Sequence, residues 1–176
     1  CLKLKIGSLD FQEEYALLRR LRSQFSERDL ELRVDANGAF SPAEAPRILG
    51  MLADLHIHSI EQPIKPGQVE AMASLCASSP LPIALDEELI GDFTSAQKQL
   101  LLETIRPQFI ILKPGLLGGI GACEEWMALA GSVGAGWWVT SSLETNVGLN
   151  AIAQWTFTLK NPLRQGLSTG RSEERR

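Results

Sequence analysis

Long apolar runs, paired cysteines and surplus positive charge are all missing from this 176-residue sequence. No stretch approaches the ~20 apolar residues needed to cross a bilayer, so no membrane partner is expected. Lysine and arginine number 17 against 21 aspartates and glutamates, a net charge of −4. That balance leaves no basic face for nucleic acid. Cys1, Cys76 and Cys123 are odd in number and far apart, with no C-x-x-C. They fit neither a disulfide framework nor a zinc knuckle and point to a reducing, cytoplasmic compartment. The glycines between Gly115 and Gly121 lack the G-x-G-x-x-G register and a Walker lysine, so they give no phosphate cradle. No Ser-His-Asp or Cys-His arrangement is present. The only two histidines, His56 and His58, flank an apolar residue at the start of a strand, the stability end of a parallel barrel. There is no initiator Met and no signal-peptide layout, and the chain opens inside an apparent strand. It is therefore expected to be a piece of something larger.

What is present is a regular beat. With 44% hydrophobic and 22% charged residues, the chain can build one sizeable core. Leu2-Lys3-Leu4-Lys5 alternates aliphatic and basic residues at period two, so both lysines share a face. A helix pattern over residues 10–25 follows, then the strand Leu32-Arg33-Val34-Asp35, ended by the turn-prone Asn37-Gly38. Ser41-Pro42-Ala43-Glu44 gives an N-cap, a proline at the first helical position and a capping-box glutamate for a helix to about residue 55. Further strands are expected at residues 58–61, 82–86, 108–113 and 136–141, with a weaker one at 165–168. Helices are expected at 68–77 and 95–105, from the Pro114-Gly115 pair to about 133, and at 146–159. Strands alternating with helices of this length are βαβ units and imply a parallel sheet. The strand ends fall at positions 5, 35, 61, 86, 113 and 141. Spacing this even favours a (β/α) TIM-type barrel over an open sheet. About seven of the eight units are visible, with one unit expected missing at the front and the last helix at the back. Residues 1–170 are read as one barrel domain, and the tail 171–176, without an apolar residue, as disordered.

In parallel barrels the C-terminal strand ends face the active site. Here they carry Lys5, Asp35, Glu61, Asp86, Lys113 and Ser141-Ser142, most directly after aliphatic residues, where a charge is costly to bury unless paired. Taken singly, each has a plain reading. Asp35 is a turn residue, Asp86-Glu87-Glu88 a solvated helix start, Lys113 a charged rim. Jointly, five ionisable residues at matching phase on five consecutive strands are not explained that way. Three carboxylates meeting at one point repel one another unless a divalent cation sits between them. All-oxygen ligation favours a hard ion, Mg²⁺ ahead of Mn²⁺. Trp137, Trp138 and Trp155 read as barrel and interlayer packing.

The ordered set Lys3-Leu4-Lys5, Val34-Asp35-Ala36-Asn37-Gly38, Ile60-Glu61-Gln62-Pro63, Ala84-Leu85-Asp86-Glu87, Ile111-Leu112-Lys113-Pro114 and Thr140-Ser141-Ser142-Leu143-Glu144 resembles the enolase superfamily. Within it the likeness is to the muconate-lactonizing subgroup, most closely the o-succinylbenzoate synthases. The resemblance implies that Asp35, Glu61 and Asp86 ligate Mg²⁺, which binds a small-molecule carboxylate substrate. Lys5 would abstract the proton α to that carboxylate and then protonate the departing hydroxyl in a syn dehydration. Lys113 would steady the anionic intermediate from the opposite face, and Lys3 would keep Lys5 available as a base by charge repulsion. Asn37 and Arg33 would support the metal site and the carboxylate, and Ser141 and Ser142 would bind the substrate's distal portion. Sibling N-succinylamino acid racemases, dipeptide epimerases and muconate cycloisomerases share these motifs and stay open as alternatives. Family members also carry an N-terminal capping domain that this chain lacks, so the chain alone is expected to be poorly active.

Overall fold

The computed structural model describes residues 1–167; the last part of the weak strand at Ser168 and the tail 171–176 lie outside the described residues. Six strands form one all-parallel sheet in sequence order, β1-β2-β3-β4-β5-β6. They are β1 (Leu2–Lys5), β2 (Leu32–Asp35), β3 (Ser59–Glu61), β4 (Ile83–Leu85), β5 (Phe109–Leu112) and β6 (Gly136–Val139). Helices α1 (Phe11–Gln24), α2 (Ala45–Ala53), α3 (Val69–Ser78), α4 (Ser95–Ile105), α5 (Pro114–Leu117), α6 (Ile120–Ser132) and α7 (Asn146–Thr158) connect or follow them.

Alternation along each strand sorts the side chains into two layers. Leu4, Val34, Ile60, Ile83, Leu85, Ile110, Leu112 and Val139 face the helices and join Leu18, Leu52, Met72, Leu102 and Trp126 in the main core. The other phase points inward, where Ala84, Ile111 and Trp138 pack with Phe109 and Leu163. The sheet curls into a half-barrel. The Arg33 guanidinium on β2 lies 4.0 Å from the centre of the Trp138 ring on β6. Four strand spacings of ~4.8 Å would put the two strands ~19 Å apart in a flat sheet.

The departures from the expected elements have local causes. The Ser41–Glu44 box forms: the Glu44 carboxylate accepts from Ser41 N at 3.2 Å, and Glu44 N donates to Ser41 Oγ at 3.3 Å. The regular helix nevertheless starts only at Ala45, because Pro46 has no N–H to bond back to residue 42. The helix expected after Pro114-Gly115 is two helices, broken at Gly118 and Gly119 with φ of +92° and +104°. Of the strand expected at 165–168, the described residues form one bridge, between Gly166 and Thr140. Side-chain amides add to this pairing along β6: Gln165 Oε1 accepts from Val139 N at 2.7 Å, and Asn161 Nδ2 donates to Trp137 O at 2.6 Å. Cys76 and Cys123 are buried and free, and burial pushes both thiols up to about 12. No helix among the described residues is long and apolar enough to cross a membrane.

The loop that follows β1 is held by a buried acid. Glu14 of α1 accepts from Gly7 N at 2.7 Å, Ser8 N at 3.1 Å and Leu9 N at 3.0 Å. Gly7 (φ +87°) packs so closely on the next loop that a Cβ there would stand 2.4 Å from the Ala39 Cβ. Glu14→Ala leaves three backbone donors without a partner and is expected to cost about 2–3 kcal/mol in urea unfolding. A loss under about 0.5 kcal/mol, the range of an ordinary surface change, would contradict this account.

Candidate metal and proton-transfer site

The inward phase of the strands carries every charged residue picked out at the strand ends. Parallel register sets Lys5 beside Asp35 and Asp35 beside Glu61. Glu61 pairs with Ala84, so Asp86, just past the end of β4, lies two residues further along the chain; Lys113 follows the last residue of β5. Strands in a barrel tilt against its axis, and this stagger brings successive strand ends back to one rim.

The rim is a chain of ion pairs. Lys3 Nζ stands between Asp35 Oδ2 at 3.1 Å and Glu61 Oε2 at 2.9 Å. Lys5 Nζ donates to the same Asp35 oxygen at 3.1 Å and also to Asn37 Oδ1. Lys113 Nζ pairs with Asp86 Oδ2 and lies 3.7 Å from Glu61 Oε1. Asn37 is in the left-handed region at φ 44°, closes a turn by donating its N–H to Asp35 Oδ1 at 3.1 Å, and donates Nδ2 to Glu87 Oε1 at 2.7 Å. Asp35 is thus a turn residue and part of the charged rim at once.

Electrostatics follow from this packing. Burial, then the charge of Asp35, pushes the Glu61 carboxyl up to about 8, with Asp86 adding to the rise and Lys3 opposing it. Burial also raises Asp35, but Lys3 and Lys5 outweigh it and hold that carboxyl below its ordinary range. Burial opposes the ammonium groups of Lys3 and Lys113. Glu61 and Asp35 around Lys3, and Asp86 and Glu61 around Lys113, more than offset it and raise both.

The three acids share one rim but do not form a ready-made triad. Among the described residues, no three His, Cys, Asp or Glu side chains stand around a common point that could hold a metal ion. Ammonium groups take up the space between the carboxylates. The donor chemistry still fits a hard divalent cation: all oxygen, buried, and with Glu61 Oε1 left without a hydrogen-bond partner.

Other expected residues divide. Arg33 and Ser141 line a cavity of about 260 Å³ with Lys3, Trp138 and Thr140. Arg33 is buried there, paired with Glu31 at 2.8 Å and donating to Arg164 O at 3.0 Å. Ser142 turns elsewhere: its N and Oγ both donate to Glu144 Oε1, at 2.8 and 2.7 Å. Asp86-Glu87-Glu88 is not a solvated helix start. It leads into a single 3₁₀ turn (Glu87–Leu89) with Glu88 buried. Gln62, Glu87 and Glu88 belong to the rim's framework, and only their position beside Glu61 and Asp86 marks them in the sequence. His58 stacks on Phe109 with ring centres 5.3 Å apart, a packing role.

Acids on three consecutive strands of a curled parallel sheet, flanked by lysines on both sides, define a class. A profile of the Enolase C-terminal domain-like family matches residues 1–175, and the chain belongs to that family. It is 58% identical over 170 residues to the o-succinylbenzoate synthase of Desulfotalea psychrophila, covering 97% of this chain and 46% of that protein. The crystal structure of MenC from Desulfotalea psychrophila superimposes with a TM-score of 0.92 at 57% identity, over 97% of this chain and 47% of that one. The L-Ala-D/L-Glu epimerase of Bacillus subtilis is 29% identical over 162 residues, 91% of this chain and 43% of that protein. Muconate lactonizing enzyme from Pseudomonas putida matches with a TM-score of 0.86 at 25% identity, over 96% of this chain and 46% of that one. The chain spans just under half the length of these relatives.

The raised Glu61 carboxyl makes stability depend on pH. Unfolded, Glu61 releases its proton near 4.5, whereas in the fold it does so only near 8. Between those values the folded state binds the extra proton, so this group's contribution falls as pH rises and is constant beyond about 8. In thermal melts with a chelator, the Tm of Glu61→Gln relative to the unsubstituted protein is expected to climb from pH 4.5 to 8 and then level off. A difference that does not change with pH would mean that Glu61 ionises normally.

Proposed function

We propose that this chain is the barrel portion of a Mg²⁺-dependent o-succinylbenzoate synthase, which converts 2-succinyl-6-hydroxy-2,4-cyclohexadiene-1-carboxylate to 2-succinylbenzoate and water in menaquinone biosynthesis. The observation that carries this reading is the rim itself, with Asp35, Glu61 and Asp86 on neighbouring strands and lysines at either flank, in a chain 58% identical to a protein of that name. Asp35, Glu61 and Asp86 would hold the ion. When bound, it supplies Lewis-acid stabilisation of the negative charge that builds on the substrate carboxylate.

The chain's own residues account for the proton traffic. Lys5 has the most exposed side chain of the three rim lysines and is open to a substrate in the mouth of the half-barrel. As the neutral amine, its Nζ takes the proton α to the carboxylate; as the ammonium, it returns that proton to the leaving hydroxyl on the same face. Water departs, the ring becomes aromatic, and Lys5 regains its starting state. Lys3 shares Asp35 Oδ2 with Lys5, which sets one positive charge beside the base. Lys113, whose ammonium is favoured by Asp86 and Glu61, attracts the developing anion from the opposite flank. The cavity lined by Lys3, Arg33 and Ser141 would receive the distal portion of the substrate. The relation to the Bacillus subtilis epimerase favours one second reading, an isomerase moving a proton between the two lysine faces.

In the full-length protein, Lys5→Ala is expected to lower the rate of dehydration by about 10²–10⁴-fold while Mg²⁺ binding persists. Asp86→Asn is expected to remove the heat of Mg²⁺ binding in calorimetric titration. An undiminished Lys5→Ala enzyme would refute the assignment of the base. Racemisation of N-succinylamino acids without dehydration of the cyclohexadiene acid would move the protein to the isomerases.

A further inference from the structure

Gln62 is wholly buried, and its backbone sits in the left-handed region at φ 39°, a conformation that costs free energy for a residue with a side chain. Every hydrogen-bonding position of its amide is filled. Oε1 accepts from Asp86 N and Glu88 N, both at 3.2 Å. Nε2 donates to Ile64 O at 3.0 Å and to Glu88 Oε2 at 3.2 Å. Two N–H groups on one side and two oxygens on the other dictate the amide's orientation. They also exclude glutamate, whose second oxygen would face the Glu88 carboxylate and a carbonyl.

Its surroundings reach three strand ends. Gln62 N donates to Ala84 O at 2.9 Å, and Gln62 O accepts from Gly38 N at 2.7 Å. Glu88 is itself buried, and its other oxygen accepts from Gly67 N at 2.9 Å. Asp86, whose N–H is held by Gln62, has an irregular backbone at φ −127°, ψ −82°. One neutral side chain therefore adjoins Glu61 in sequence and grips the backbone of Asp86 across the sheet.

We propose that Gln62, oriented by Glu88, is a positioning residue that fixes the spacing of Glu61 and Asp86 and so sets the affinity of the rim for a divalent cation. This rests on the reading that Asp35, Glu61 and Asp86 hold the ion. Neither Gln62 nor Glu88 would touch it. Partners of ligating carboxylates commonly change metal affinity by about 10–100-fold when altered.

The test is calorimetric titration of the full-length protein with Mg²⁺, alongside circular dichroism. Gln62→Glu places a carboxylate against Glu88 and is expected to weaken Mg²⁺ binding by about 10–100-fold. The double exchange Gln62→Glu with Glu88→Gln restores a donor opposite an acceptor and is expected to recover most of that loss, which general destabilisation would not do. Glu88→Gln alone, isosteric and neutral, is expected to weaken binding in the same direction and serves if Gln62→Glu does not fold. Unchanged affinity in a folded Gln62→Glu or Glu88→Gln variant, or an equal loss in the single and double exchanges, would overturn the proposal. Absence of Mg²⁺ binding in the unsubstituted protein would instead remove the metal assignment beneath it.

Discussion

Like charges gathered at low dielectric must be interleaved with opposite ones, and the rim of this half-barrel is built around that requirement. Asp35, Glu61 and Asp86 are buried at the ends of adjacent strands, where their mutual repulsion would resist ionisation. Lys3 lies between the first two, and Lys113 between the last two. The compensation is uneven. Asp35 is hydrogen-bonded by both Lys3 and Lys5 and stays ionised, while Glu61, more deeply buried and flanked by an acid on each side, is pushed towards its neutral form. A buried ion pair gives little net stability once desolvation is counted, so this cluster is not what fastens the fold.

Stability comes from the other phase of the same strands. Each inward charge is followed or preceded by an outward aliphatic residue that packs under the helices, as Val34 precedes Asp35 and Leu85 precedes Asp86. The large apolar core thereby supports an inner face that is costly to assemble. Curvature completes the separation: it folds Arg33 over Trp138 and gathers the rim, which a flat sheet would spread out.

The phase of the strands and the charged rim were legible in the sequence because a charge after an aliphatic run is conspicuous. Lys3, Lys5, Asp35, Glu61, Asp86, Lys113 and Asn37 do come together. What held them was not legible. Gln62 is a neutral residue between Glu61 and Pro63, and nothing in a one-dimensional pattern distinguishes it from a solvated turn residue. Glu88 followed two acids and read as surface, because its burial depends on contacts with residues 62 and 67. Ser141 and Ser142 are adjacent yet serve different neighbours, a split made by Glu144 two residues on. The pairing of the amides of Asn161 and Gln165 with β6 is a side-chain event, invisible to backbone periodicity.

Those two amides also close one edge of the sheet. On β6 they occupy the N–H of Val139 and the carbonyl of Trp137, so an incoming strand would find the edge already paired. Among the described residues β1 pairs only with β2. The margin near Gln165 is self-sealed against edge-to-edge aggregation.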